Sequence, residues 1–204
     1  MSAFSTPPHS YQQHTDKTCL SRFFYSTFCY ILSLTLMSNI YAGEPSKIAK
    51  IKAAYVYQIA SYTSWPENKL SHNKKNSDKE IFLICYSGQG TNFIKALKQL
   101  ADKKHQQHTI QIKQFTPDIK NNCHVLVMTH IDNNYIEHLK TIATQPVLTI
   151  SDIPEFTDSE HAVNGNIELF KKRNKVRFII NRKSVLKSQL KISSKLLKLA
   201  TIVD

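Results

Sequence analysis

The sequence is poor in glycine, with only Gly43, Gly88, Gly90 and Gly165 among 204 residues. No GxGxxG, GxxxxGK[ST] or GxSxG can be written from those four, so the dinucleotide, P-loop and serine-hydrolase readings fall. Acid is also scarce: 15 Asp and Glu face 27 Lys and Arg, a formal charge of +12. There is one tryptophan, and there are four cysteines. Past the first forty residues no apolar run approaches the roughly twenty needed to cross a bilayer. What is present is ordinary for a folded chain. Apolar content of 41% and charged content of 21% exclude a disordered polymer. The length predicts a single domain with an appended segment.

The appended segment is N-terminal. Lys17 and Arg22 precede the uncharged stretch Phe23 to Met37, and Ile40-Tyr41-Ala42 follows it. A basic region, a short apolar region and an aliphatic-x-Ala site predict a secretory signal peptide over residues 1–42, cleaved to leave a domain at 43–204. The competing reading, a retained anchor, needs a longer apolar run. Cys19 and Cys29 leave with the peptide. The pair that stays, Cys85 and Cys123, favours one disulfide in an exported chain. The alternative, a reactive thiol, lacks CxxC spacing and an adjacent Lys or Arg to lower its pKa.

The rest alternates between periods. Ile48, Ile51, Tyr55, Ile59 and Tyr62 recur at helical spacing from Lys47 to Thr63, and Trp65-Pro66 ends that helix. Residues 68–80 are a polar loop. Ile81 to Tyr86 is a continuous apolar run of the buried-strand type, and Ser87 to Gly90 turns the chain. Thr91 caps a helix carrying Phe93, Ile94, Leu97 and Leu100. Thr109 to Phe115 alternates as a strand, Cys123 to Met128 is a second buried strand, and Asp132 caps a helix through Leu139 and Ile142. Pro146 to Ile150 is a third buried run. A hairpin follows, Asn166–Phe170 with Lys175–Asn181, and then two helices near Arg182–Ser188 and Lys191–Ile202. The pattern predicts a single layered α/β domain: a mainly parallel sheet flanked by helices, with a C-terminal β-hairpin and helices.

No convergent acid, base and nucleophile emerge, so the chain does not read as an enzyme. His105 and His108, in the polar run KKHQQH, read as solvated side chains rather than metal ligands, and no metal or cofactor is expected. Ser184 with Lys187, and Ser188 with Lys191, satisfy SxxK, but the KTG and SDN partners are missing. Ser87, Gly88, Gly90 and Thr91 form a strand–turn–helix junction whose N–H groups could hold an anion; a simple tight turn is the plainer reading. The charge is the informative feature. Lys171 to Lys198 holds eleven Lys and Arg and no acid, while the rest of 43–204 holds fourteen of each. Lys191, Lys195 and Lys198 are expected to share one face of the last helix, suited to an acidic protein face or an anionic lipid surface. Nucleic acid is not an expected partner outside the cytoplasm.

An ordered set of landmarks resembles a known family. Lys52-Ala53-Ala54-Tyr55-Val56-Tyr57 running to Trp65-Pro66 opens it. Phe82 to Cys85 with the Gly88 turn, Cys123 to Leu126, and Pro146 to Asp152 with Phe156 follow. Gly165-Asn166-Ile167, Val176 to Asn181, and Leu190 to Ala200 complete it. The set resembles the YfiR-like periplasmic regulators over nearly all of residues 47–200. The resemblance implies a periplasmic, non-catalytic protein of a Gram-negative cell. It would restrain the sensor domain of an inner-membrane diguanylate cyclase, or a hybrid or sensor kinase, and so govern cyclic-di-GMP and biofilm growth. Cys85 and Cys123 match a family cysteine pair; a second pair found in some members, at the stretch equivalent to 153–165, is missing. Contacts are expected from Tyr55, Tyr57, Tyr62 and Trp65 and from the basic C-terminal face, in a protein acting as a homodimer. The alternative is a periplasmic carrier of small anions or nucleotides built on the Gly88–Thr91 turn.

Overall fold

The structure, a computed structural model, describes residues 44–67, 69, 81–116, 118, 122–130, 133–158 and 164–204. The expected signal peptide, the cap at Asp132 and nearly all of the 68–80 loop lie outside the described residues. Residues 44–204 form one compact unit.

Helix α1 (Lys47–Ser61) starts where the Ser46 side chain accepts the Ala49 N–H, and it buries Ala49, Ala53, Val56, Ile59 and Ala60. Strands β1 (Thr63–Ser64) and β2 (Ile81–Ser87) come next. Helix α2 (Asn92–Lys98), β3 (Lys104–His105), β4 (His108–Gln114) and β5 (Val125–Met128) follow. Then come α3 (Asn133–Ile142), β6 (Leu148–Ser151), β7 (Ile167–Lys172) and β8 (Lys175–Asn181). The chain closes with α4 (Arg182–Lys187), β9 (Lys191–Ile192), α5 (Ser194–Leu197) and β10 (Thr201–Val203).

Eight strands form one mixed sheet in the order β10-β8-β7-β6-β5-β2-β4-β3. Its centre is parallel; the β7–β8 hairpin and the β3–β4 edge pair are antiparallel. Strand residues alternate between two cores. Phe82, Ile84, Val125, Val127, Leu148 and Ile150 pack beneath α1 and α2. Leu83, Cys85, Leu126 and Met128 face the other way, with Leu139, Ile142 and Phe156. Coverage on both faces is why the central strands read as unbroken apolar runs. The Cys85–Cys123 disulfide ties β2 to the residues entering β5, with the Cα atoms 5.8 Å apart. Lys52 clamps α1 to the end of β6 through Asp152 at 2.7 Å. No helix among the described residues is long and apolar enough to cross a membrane.

The C-terminus departs from expectation. The single helix expected over Lys191–Ile202 is instead a strand, one helical turn and a second strand. Ile192 pairs with Thr63 from the other end of the domain, and Thr201–Val203 joins the sheet edge beside β8. Ser193 interrupts the segment: its N–H donates to Tyr62 O at 2.9 Å, and its side chain accepts the Lys195 N–H at 3.2 Å. Long-range pairing overrides a period of four that only resembles a helix.

Candidate functional site

The segment richest in charge builds a groove on the surface. At the end of β8, Asn181 caps α4 by accepting the Ser184 N–H at 2.8 Å, while its amide donates to Thr157 O and Asn164 Oδ1, both at 2.8 Å. Asn166 holds the buried side of the same helix: its amide donates to Ser184 Oγ at 2.9 Å and Ser188 Oγ at 3.2 Å. Its Oδ1 accepts from the N–H and hydroxyl of Thr149 at 2.8 and 3.0 Å. These bonds fix α4 with Ser184 and Ser188 inward, so neither SxxK serine faces a substrate. Leu186, on the opposite side, is left 63% exposed.

Gln189, in the left-handed region at φ 57°, ends the helix and turns the chain into β9. The result is a groove of about 230 Å³. Ile180, Val185, Leu190, Ile192 and Leu197 supply apolar walls, with Leu186 at the lip and Arg182 and Lys191 as cations. Leu199 and Ile202 are further exposed apolar side chains of this C-terminal segment, at 71% and 41%. Lys183, Lys187, Lys195 and Lys198 are exposed on the same segment. Exposed leucines with cations and no acid in the stretch form a surface suited to docking.

The basic run is therefore not one face. Lys171, Lys172, Arg173 and Lys175 sit at the tip of the β7–β8 hairpin, whereas Arg182 onward lies beyond the other end of β8. Seven residues of strand separate them by roughly 20 Å. Lys191, Lys195 and Lys198 are all exposed, but they stand on β9, on α5 and just beyond α5, not on one helical stripe.

The other sites expected from sequence are placed as follows. Tyr55 packs on Phe178 with ring centroids 5.6 Å apart, Tyr57 donates to Lys104 O at 3.0 Å, and Trp65 is only 8% exposed. Trp65 is thus buried, Tyr55 and Tyr57 are half-buried, and Tyr62, 41% exposed, reaches furthest into solvent of the four. In the turn, Ser87 is buried and its carbonyl accepts from Thr129 Oγ1 at 3.2 Å. Gly88 has φ +92°, and a Cβ there would stand 2.4 Å from Thr129 Oγ1. Gly90 has φ +68° with open space around it, and Thr91 accepts the Ile94 N–H at 3.2 Å. Among the described residues no group of three or more His, Cys, Asp or Glu could hold a metal ion.

One reading is overturned. His105 and His108, expected in solvent, are 3% and 7% exposed and face each other across the β3–β4 pair. His105 lies against Phe82 at 4.1 Å, and His124 against the same ring at 4.8 Å. Imidazole rings stack on aromatic partners, so a polar-looking strand edge is drawn into the core. Burial pushes His124 down to about 4, helped by the Lys69 charge, and pushes Lys69 itself down to about 8. Burial, then the His108 charge, also holds His105 below the ordinary histidine value.

A family model described as YfiR/HmsC-like matches residues 49–201. No curated protein matches the chain.

Proposed function

The chain belongs to the YfiR/HmsC-like family, and from that premise we propose that it is a non-enzymatic periplasmic regulator. It is exported by the segment at residues 1–42 and binds the periplasmic sensor domain of an inner-membrane diguanylate cyclase. Binding holds that domain in its inactive arrangement, a population shift that lowers cyclic-di-GMP and biofilm formation. A sensor kinase is the alternative partner of the same kind.

The groove beside α4 is the observation that supports a docking role. Its apolar walls and the exposed Leu186 offer desolvation, and Arg182 and Lys191 favour an acidic partner face. The buried Asn166–Ser184–Ser188 network holds α4 rigid, which lowers the ordering cost of binding. The SxxK reading finds no support: both of its serines are buried.

Deleting the gene is expected to raise cellular cyclic-di-GMP. Wild-type protein restores the low level, and Leu186→Glu, which places a carboxylate on an exposed site and leaves the core intact, does not. Unchanged cyclic-di-GMP on deletion would remove the cyclase reading.

A further inference from the structure

A buried basic cluster surrounds Trp65, the residue that directly follows β1. His105 (β3), His108 (β4) and His124 (entering β5) are 3%, 7% and 0% exposed, and Lys69 is 8% exposed. Phe82 of β2 has imidazoles at 4.1 and 4.8 Å. Trp65 stands edge-on to Phe82 at 5.3 Å and to both of those imidazoles at 6.4 Å. From α1, Tyr57 meets His105 edge-on at 6.2 Å. Among the described residues, the charges that act on His124 are those of Lys69 and His108, and the charge that acts on His105 is that of His108.

The proton positions follow from the contacts. His124 Nδ1 accepts the Leu83 N–H at 2.9 Å, so the neutral ring carries its proton on Nε2, which is buried beside the Lys69 backbone. A second proton has to go on Nδ1, where it displaces Leu83. It also sets a cation in a buried site beside the Lys69 charge.

Trp65 transmits that disturbance. Its Nε1 donates to His124 O at 3.2 Å, and it directly follows β1. Thr63 and Ser64 of β1 pair with Ile192 and Lys191 of β9, the two β9 residues that line the groove. Tyr62 O also accepts the Ser193 N–H at 2.9 Å. We propose that the cluster is an acid-operated catch on the groove: protonating His124 and His105 frees Trp65 and loosens the β1–β9 pair that holds Lys191 and Ile192 in the groove wall. Assigning regulation to this groove rests on the docking function proposed above, but the catch itself is read without any partner.

Trp65 is the chain's one tryptophan, so its emission reports the catch directly. In the wild-type protein, emission and acrylamide quenching change with a midpoint between 4 and 6.5, while the far-UV circular dichroism holds. The His124 imidazole resonance titrates in the same window by NMR, and that of His105 below the ordinary histidine value. Combining His124→Asn, whose Oδ1 can still accept Leu83 N–H, with His105→Phe, which keeps the stack on Phe82, flattens the emission change. Emission that stays constant, emission lost together with the far-UV signal in one acid unfolding, or an unaltered midpoint in the double variant overturns the proposal. If the double variant does not fold, the wild-type imidazole titration decides: histidines that protonate without any Trp65 response refute the catch. A protein that passes these tests yet binds no membrane sensor leaves the catch standing and removes the docking function.

Discussion

At Gly165 a Cβ would stand 2.0 Å from the Phe156 ring, and the Gly165 N–H donates to Phe156 O at 2.7 Å. Phe156 is 1% exposed and has no room to yield. Gly165→Ala is therefore expected to lower stability by about 1–3 kcal/mol, measured by urea unfolding. His124 makes a pH prediction with a definite sign. Its folded value is depressed from 6.5 to about 4, so the unfolded chain binds more protons between those limits. The stability it contributes is present above 6.5 and is lost as pH falls through 4, on the order of 3 kcal/mol. Urea midpoints measured across that range should fall, and the fall should be shallower in His124→Asn. These residues also mark where the sequence is silent. KKHQQH looks like solvated loop because its burial comes from Phe82 and Trp65, which lie far off in the chain. Gln106, in the left-handed region at φ 54°, makes the tight turn that brings His105 opposite His108.

At the scale of elements, what was legible depended on where each element finds its partners. Strands β2, β5 and β6 were visible as apolar runs because both of their faces are covered. Helix α1 was visible because one stripe of it is buried, and α2 because Thr91 caps it; the Asn181 cap of α4 was read only as the end of a strand. The last segment was misread because Ile192, Leu196, Leu199 and Val203 mimic a helical stripe. Only one of the four is buried, Leu196, while Ile192 pairs across to Thr63. The groove is a consequence of that strand–turn–strand path, so its walls could not be listed from periodicity, although Lys191 was singled out by charge. The hydrogen bonds behind α4 carry a prediction at this scale. Asn166→Ala strands the Thr149 N–H and removes the amide that holds Ser184 and Ser188. A loss of about 2–4 kcal/mol is expected, and hydrogen exchange should accelerate first in α4.

For the whole molecule, the charge excess of residues 43–204 comes from one basic stretch, Lys171 to Lys198. The fold divides it, placing the hairpin-tip cations at one end of β8 and those of α4, β9 and α5 at the other. The second cluster adjoins an apolar groove, the docking surface proposed above. The Cys85–Cys123 link, spanning 38 residues, secures β2 to the entry of β5 beneath that architecture. Replacing both cysteines with alanine is expected to cost about 4 kcal/mol in the chain-entropy picture, read as a lowered thermal midpoint. The most direct measurement of the docking function is binding of the purified protein to the isolated periplasmic domain of an inner-membrane diguanylate cyclase from the same cell, by calorimetry, with wild type and Leu186→Glu side by side. Saturable binding by wild type that weakens at least about tenfold in the variant, a loss of roughly 1.4 kcal/mol, is the predicted result. Absence of binding, or equal affinity for a correctly folded Leu186→Glu protein, would contradict it.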